Sequence, residues 1–118
     1  MKHIQIKRIY DPLDAKDGFR ILVDGLWPRG MKKENAEIDS WLKSVAPSPA
    51  LRKWFAHDPA KWKLFQKKYM EELKSNAASG ELLAFIKNHK RITLLYAAKD
   101  EQHNHAVVLK QWIGKDLL

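Results

Sequence analysis

Cysteine is absent from all 118 residues, which excludes a disulfide framework, a thiol nucleophile, thiolate zinc sites and iron–sulfur clusters. Long apolar runs are absent too. No uninterrupted stretch is longer than Leu94–Ala98, far short of the ~18 residues that span a bilayer. The start, Met1-Lys2-His3-Ile4-Gln5-Ile6-Lys7-Arg8, alternates and lacks an apolar segment, so no secretory signal is expected. No repeat, low-complexity tract or linker interrupts the chain, and GxSxG, Walker-type, GxGxxG and HExxH patterns are all missing. Against these absences stand 45% hydrophobic and 10% aromatic residues, enough for a real core. The expectation is a soluble cytoplasmic protein folded as one domain over residues 1–118, with no cofactor and no membrane association.

Acidic residues are in deficit. Twenty-two Lys and Arg against fourteen Asp and Glu give a formal charge of +8. Residues 1–50 and 81–118 each carry a net +2, and residues 51–80 carry +4. Excess positive charge raises the encounter rate of phosphates. It also keeps lysine-rich helix faces in solution, and composition alone does not choose between the two.

The spacing predicts a strand over 3–9, with Ile4 and Ile6 at period two. Turn chemistry follows in Asp11-Pro12-Leu13-Asp14 and Asp17-Gly18, and a second strand over 19–23. Gly25, Pro28 and Gly30 punctuate a loop over 24–30. Residues 38–45 fit a short helix through Ile38, Trp41, Leu42 and Val45, and a strand through Trp41, Lys43 and Val45. Ser48-Pro49 and Asp58-Pro59 each read as a helix cap followed by proline at the first helical position, predicting helices over 49–56 and about 59–75. In the latter, Trp62, Phe65, Tyr69 and Leu73 form a core-facing stripe. Ser79-Gly80-Glu81 opens a third helix, with Leu82, Leu83 and Ile86 inward. The apolar run 91–97 suits a strand buried on both faces. Asp100 is placed to cap a last helix carrying Ala106, Leu109, Trp112 and Ile113, which Gly114 can end. These elements predict an α/β fold: a small, mostly parallel sheet flanked by helices.

Ligands of open α/β sheets collect beyond the carboxyl ends of the strands. Two junctions qualify: the one after Val23, with Asp24, Trp27 and Arg29, and the one after Tyr96, with Lys99, Asp100, His103 and His105. If strands 19–23 and 91–97 are parallel neighbours, both junctions open on one edge and form a single pocket. Arg29 can grip phosphate or carboxylate in bidentate fashion, or bridge to Asp24 or Asp39 and simply fix its loop. His103-Asn104-His105 spells the letters of a nuclease motif, but residues two apart on a helix point ~200° from each other, so no metal site is expected. Either histidine could move a proton near neutral pH, or cap and pack locally. His57-Asp58 reads as a helix start rather than an acid/base pair.

Several segments together are familiar. Val23-Asp24-Gly25-Leu26-Trp27-Pro28-Arg29-Gly30, Trp41-Leu42-Lys43, Ala46-Pro47-Ser48, the run Leu51–Pro59, Leu94–Asp100 and His103–Leu109 resemble the YeaO-like branch of the domain-of-unknown-function family 488. The likeness covers nearly the whole chain. It implies small bacterial or archaeal cytosolic proteins of α/β fold, and no settled activity. The chain departs from the wider family where that pattern looks like Leu-Cys-Ala-Glu and then Cys-His-Arg. Tyr96, Ala98, Asn104 and Ala106 replace the first Cys, the Glu, the second Cys and the Arg, while His105 matches. Gly25 stands where the branch looks like Asp-Arg-Leu-Trp, removing one positive charge.

Three functions compete. The first is binding of a phosphate-bearing ligand, a nucleotide or nucleic-acid end, with Arg8, Arg29 and Lys43 as anion ligands and Trp27 and Tyr96 beside them. The second is an enzyme using His105 or His103 as general acid/base with Asp24 as charged partner. The third is non-specific nucleic-acid binding through the basic 51–80 surface.

Overall fold

The structure, a computed structural model, describes residues 3–117. Four strands, β1 (His3–Arg8), β2 (Phe19–Leu22), β3 (Ser40–Trp41) and β4 (Arg91–Tyr96), form one sheet in the order β1-β4-β2-β3. Every pairing is parallel, with Ile4 opposite Ile92, Ile21 opposite Leu94 and Leu22 opposite Trp41. The central strand β4 has five consecutive buried residues, as expected of a strand covered on both faces.

Alternation along the strands divides two cores. Ile4, Ile6, Phe19, Ile21, Ile92, Leu94 and Tyr96 pack with the helices on one face. Leu22 and Leu95 turn to the other, where Ile9, Ala36 and Trp41 cover them. The helical layer comprises α2 (Pro49–Phe55), α3 (Trp62–Ser75), α4 (Ala77–Asn88) and α5 (His105–Leu117), while the short α1 (Lys33–Ala36) lies in the β2–β3 connection. In α3, Phe65, Tyr69 and Leu73 are buried. Phe65 stacks on Phe55 of α2 with centroids 4.2 Å apart, and each such fully buried side chain contributes roughly 1.5–3 kcal/mol.

The second face of the sheet also holds a polar cluster. Asp17 accepts from Gln5 Nε2 and Lys7 Nζ, both at 3.1 Å on Oδ1, and Arg20 Nη1 closes on Oδ2. Arg20 in turn donates to the carbonyls of Glu37 and Ala36, so β2 is tied to the α1 connection. Burial alone would raise the Asp17 carboxyl. Hydrogen bonds from Lys7 and the Asp14 amide, the Lys7 charge and the Arg20 bond outweigh it and hold the group below the usual carboxylate range. Gly18, at φ 68°, passes so close to Arg91 that a Cβ would collide with its carbonyl.

Local expectations needed correction at five places. Residues 38–45 are neither all helix nor all strand: β3 takes Ser40–Trp41 and a single 3₁₀ turn takes Lys43–Val45. The 59–75 segment begins as a 3₁₀ turn over Pro59–Lys61, capped by Asp58, before α3 starts at Trp62. Helix α4 opens at Ala77, because Asn76 accepts from the Ala78 amide, whereas the Ser79 hydroxyl donates to Leu73. Asp100 does not cap α5. It closes a turn by accepting from the Gln102 and His103 amides, and Asn104 accepts from Val107 N in its place. Gly114 lies inside α5 rather than ending it. The Ser48-Pro49 cap is present as expected, with Ser48 Oγ accepting from Leu51 N.

Candidate functional site

Because β2 and β4 run parallel in register, their chains leave the sheet at the same edge. Val23 N donates to Leu95 O at 3.1 Å, and one step later Ala97 N donates to Asp24 Oδ2 at 2.9 Å. The loop after β2 and the junction after β4 are thus joined by a direct bond. They line one cleft of about 790 Å³, which also receives Phe55 and His57 at the end of α2 and Phe65 of α3.

Asp24 sits where the walls meet. His105, the first residue of α5, places Nε2 3.0 Å from the Val23 carbonyl and 3.1 Å from Asp24 Oδ1. Both neighbours are acceptors, so Nε2 carries a hydrogen. That hydrogen points to the Val23 carbonyl, which leaves Oδ1 beside the ring nitrogen but with no hydrogen bond among the described residues. The ring meets Tyr69 edge-on at 6.3 Å. Burial, and to a lesser degree Glu72 and Asp24, push the Tyr69 phenol well above the usual tyrosine range, and it donates to Val45 O at 2.6 Å.

His103 is fixed separately. Its Nδ1 lies 2.9 Å from Asp100 Oδ2, and its ring meets Trp62 edge-on at 5.3 Å. The Gln102 amide and the His103 side chain hold the Asp100 carboxyl below its usual range. The two histidines line one cleft but engage different carboxylates. Among the described residues no group of three or more His, Asp or Glu side chains is placed to hold a metal ion.

The other residues named from the sequence divide. Arg29 and Trp27 line the cleft. Arg29 makes no bridge to Asp24 or Asp39 among the described residues: Asp24 faces His105, and Asp39 accepts from Arg20 N. Trp27 donates Nε1 to Met31 O and meets Trp41 at 5.3 Å. Arg8 is occupied elsewhere, its guanidinium donating to the carbonyls of Ala98 and Ala97 at 2.9 and 3.1 Å. Tyr96 is buried among the helical-face core residues and does not line the cleft. Lys43 lies over Trp41 at 5.4 Å and lines a second cavity of about 570 Å³.

Sequence reasoning placed Lys99 at the junction after Tyr96 without giving it a role, and left Arg52 and Tyr10 out of the site. All three line the cleft and are exposed. Arg52 lies in the Leu51–Pro59 motif, but among seven basic residues of the 51–80 segment nothing local marked it as different. Its guanidinium rests against Gly25: a Cβ there would lie 3.4 Å from Nη1.

A parallel α/β sheet with a cleft at its carboxyl edge defines the class of fold. Within it, the chain belongs to the family described as the inactive DUF488-N3 subclade, whose model matches residues 3–118. It is 45% identical to the uncharacterized protein YeaO of Escherichia coli (strain K12) over 94% of this chain and 96% of that one. It is 37% identical to the uncharacterized proteins Mb3100c of Mycobacterium bovis and Rv3073c of Mycobacterium tuberculosis, over 94% of this chain and 93% of theirs. No solved structure matches. No helix among the described residues is long and apolar enough to cross a membrane.

Proposed function

We propose that the cleft binds a phosphate-bearing ligand, a nucleotide or the end of a nucleic acid. The observation that carries this reading is the state of its charges. Arg29, Arg52 and Lys99 are exposed along the cleft, and among the described residues none of them pairs with a carboxylate. Its two carboxylates, Asp24 and Asp100, each already face a histidine. Unpaired guanidinium groups beside an aromatic wall of Trp27 and Phe55 suit a phosphate joined to a flat ring.

The test is thermal unfolding with inorganic phosphate, nucleoside monophosphates and a short 5′-phosphorylated oligonucleotide. A ligand at a hundred times its Kd stabilises by about 2.7 kcal/mol, on the order of 10 °C for a chain of this size. Arg29→Ala and Arg52→Ala are expected to reduce that shift while leaving the free protein's Tm unchanged. No shift with any of these compounds at millimolar concentration would sink the proposal.

A proton-transfer enzyme is the second reading, favoured by the 2.9 Å His103–Asp100 contact. Binding takes precedence because His105 spends Nε2 on a backbone carbonyl and because the family description itself reads inactive. The 51–80 surface comes third, since Lys61 and Lys68 both lie over Trp54 at 5.2 Å.

A further inference from the structure

The second cavity does not stand apart from the first. Gly25, Ala46, Pro47 and Arg52 line both, so the two volumes meet across a wall that carries one guanidinium. Gly25 keeps that wall low. Its backbone is not in the left-handed region, so any residue could stand there, yet a Cβ would already touch Arg52 Nη1 at 3.4 Å and Ala46 Cβ at 3.5 Å. A branched side chain would fill the space between Arg52 and the Ala46-Pro47 turn.

The far side has its own cation. Lys43 is exposed, lines the second cavity and, among the described residues, pairs with no carboxylate. The acid there, Glu72, accepts from Ser48 N at 2.9 Å and Ser48 Oγ at 2.6 Å, so its charge is directed toward α2. From the main cleft outward the chain therefore sets Arg29 and Lys99, then Arg52 at the crossing, then Lys43. A cavity of about 790 Å³ already accommodates one nucleotide, and a mononucleotide has no use for a second compartment beyond Arg52.

We infer that the ligand is a single-stranded nucleic-acid end rather than a free nucleotide, with the terminal unit in the main cleft and the backbone crossing Arg52 beside Gly25 into the Lys43 cavity. This rests on the phosphate-binding reading above. Spaced cations with an aromatic wall are how strands are held without reading their sequence. Tyr10 adds a stacking surface at the mouth, 41% exposed, with Arg8 over its ring at 5.0 Å and its hydroxyl donating to Arg29 O at 2.7 Å.

The experiment is calorimetric titration of the full chain with 5′-phosphorylated thymidine mono-, di- and tetranucleotides, repeated with Gly25→Val and Lys43→Ala. The tetranucleotide is expected to bind about tenfold or more tightly than the mononucleotide, the worth of one stacked and anchored unit. Gly25→Val, which crowds Arg52 at the crossing, should bring the ratio of tetranucleotide to mononucleotide affinity close to one. Lys43→Ala should lower the slope of log affinity against log salt by about 0.7 for the tetranucleotide. Equal affinity for mono- and tetranucleotide, or a tetranucleotide indifferent to both substitutions, overturns the strand inference and leaves the cleft reading intact. Failure of all three oligomers and of inorganic phosphate to bind overturns both.

Discussion

Asp24 and Ala97, 73 positions apart in the chain, are joined by a 2.9 Å bond from the Ala97 amide to the Asp24 carboxylate. It ties the loop after β2 to the junction after β4 at the floor of the cleft. Asp24→Ala strands that amide and removes the carboxylate facing His105. A buried donor left unpaired costs about 1–3 kcal/mol, so urea unfolding should show a loss of that size. Asp24→Asn should recover only part of it, because an amide that accepts from Ala97 turns its NH₂ toward the Nε2 hydrogen of His105. An Asp24→Ala variant as stable as the parent would show that the bond does not hold the floor.

His105 lends itself to a direct check. Its Nε2 lies between two acceptors, so the neutral ring should be the Nε2–H tautomer, with Nδ1 carrying the lone pair. Long-range ¹H–¹⁵N correlation distinguishes the two tautomers. An Nδ1–H ring would contradict the arrangement and free Nε2 for chemistry.

Much of this frame was legible in the residues. The five buried positions of β4 and the Ser48-Pro49 cap are local signals, and the structure keeps both. The shared edge of the two junctions also followed, because parallel neighbours open on one side. What was hidden depended on partners distant in the chain. Asp100 looks like a helix cap until Asn104 takes that place. Arg8 looks like an anion ligand until the carbonyls of Ala97 and Ala98 are seen beside it. Arg52 looks like one more solvated cation until the fold sets it against Gly25, where the missing side chain leaves room for it.

Asp17 sets an acid limit on stability. Its carboxyl is held below its ordinary value of 3.8 by Lys7, the Asp14 amide and Arg20 acting against burial. A depressed pKa contributes stability that is fully present above the unfolded value and fades as pH falls through the folded one. Asp17→Asn should therefore lose several kcal/mol at pH 7, in the range of about 3–5 for breaking a buried pair. The gap between variant and parent should narrow below pH 3.8. A gap that stays constant from pH 7 to pH 2.5 would show that the charge contributes nothing.

Tyr69 separates support from binding. Its hydroxyl donates to Val45 O at 2.6 Å inside the core, while its ring stays with Phe65 at 5.9 Å. Tyr69→Phe keeps the ring and leaves the carbonyl unpaired, for an expected loss of about 1–2 kcal/mol in urea. Because burial raises the phenol well above its usual range, its ultraviolet ionisation signal should emerge only as the chain unfolds in alkali. A phenolate signal before unfolding would place Tyr69 in contact with solvent.

Arg8 distinguishes a ligand from a brace. Its Nε and Nη2 donate to the carbonyls of Ala98 and Ala97, a fork that a lysine ammonium cannot reproduce. If Arg8 braces the junction, Arg8→Lys keeps the charge but loses stability, by about 1–3 kcal/mol for bonds from a charged donor, and shifts the backbone amide resonances of 97–100. If instead it held an anion, Arg8→Lys would leave the free protein unchanged and alter only the response to phosphate. The geometry requires the first outcome, and an unshifted amide spectrum with normal unfolding would return Arg8 to the binding site.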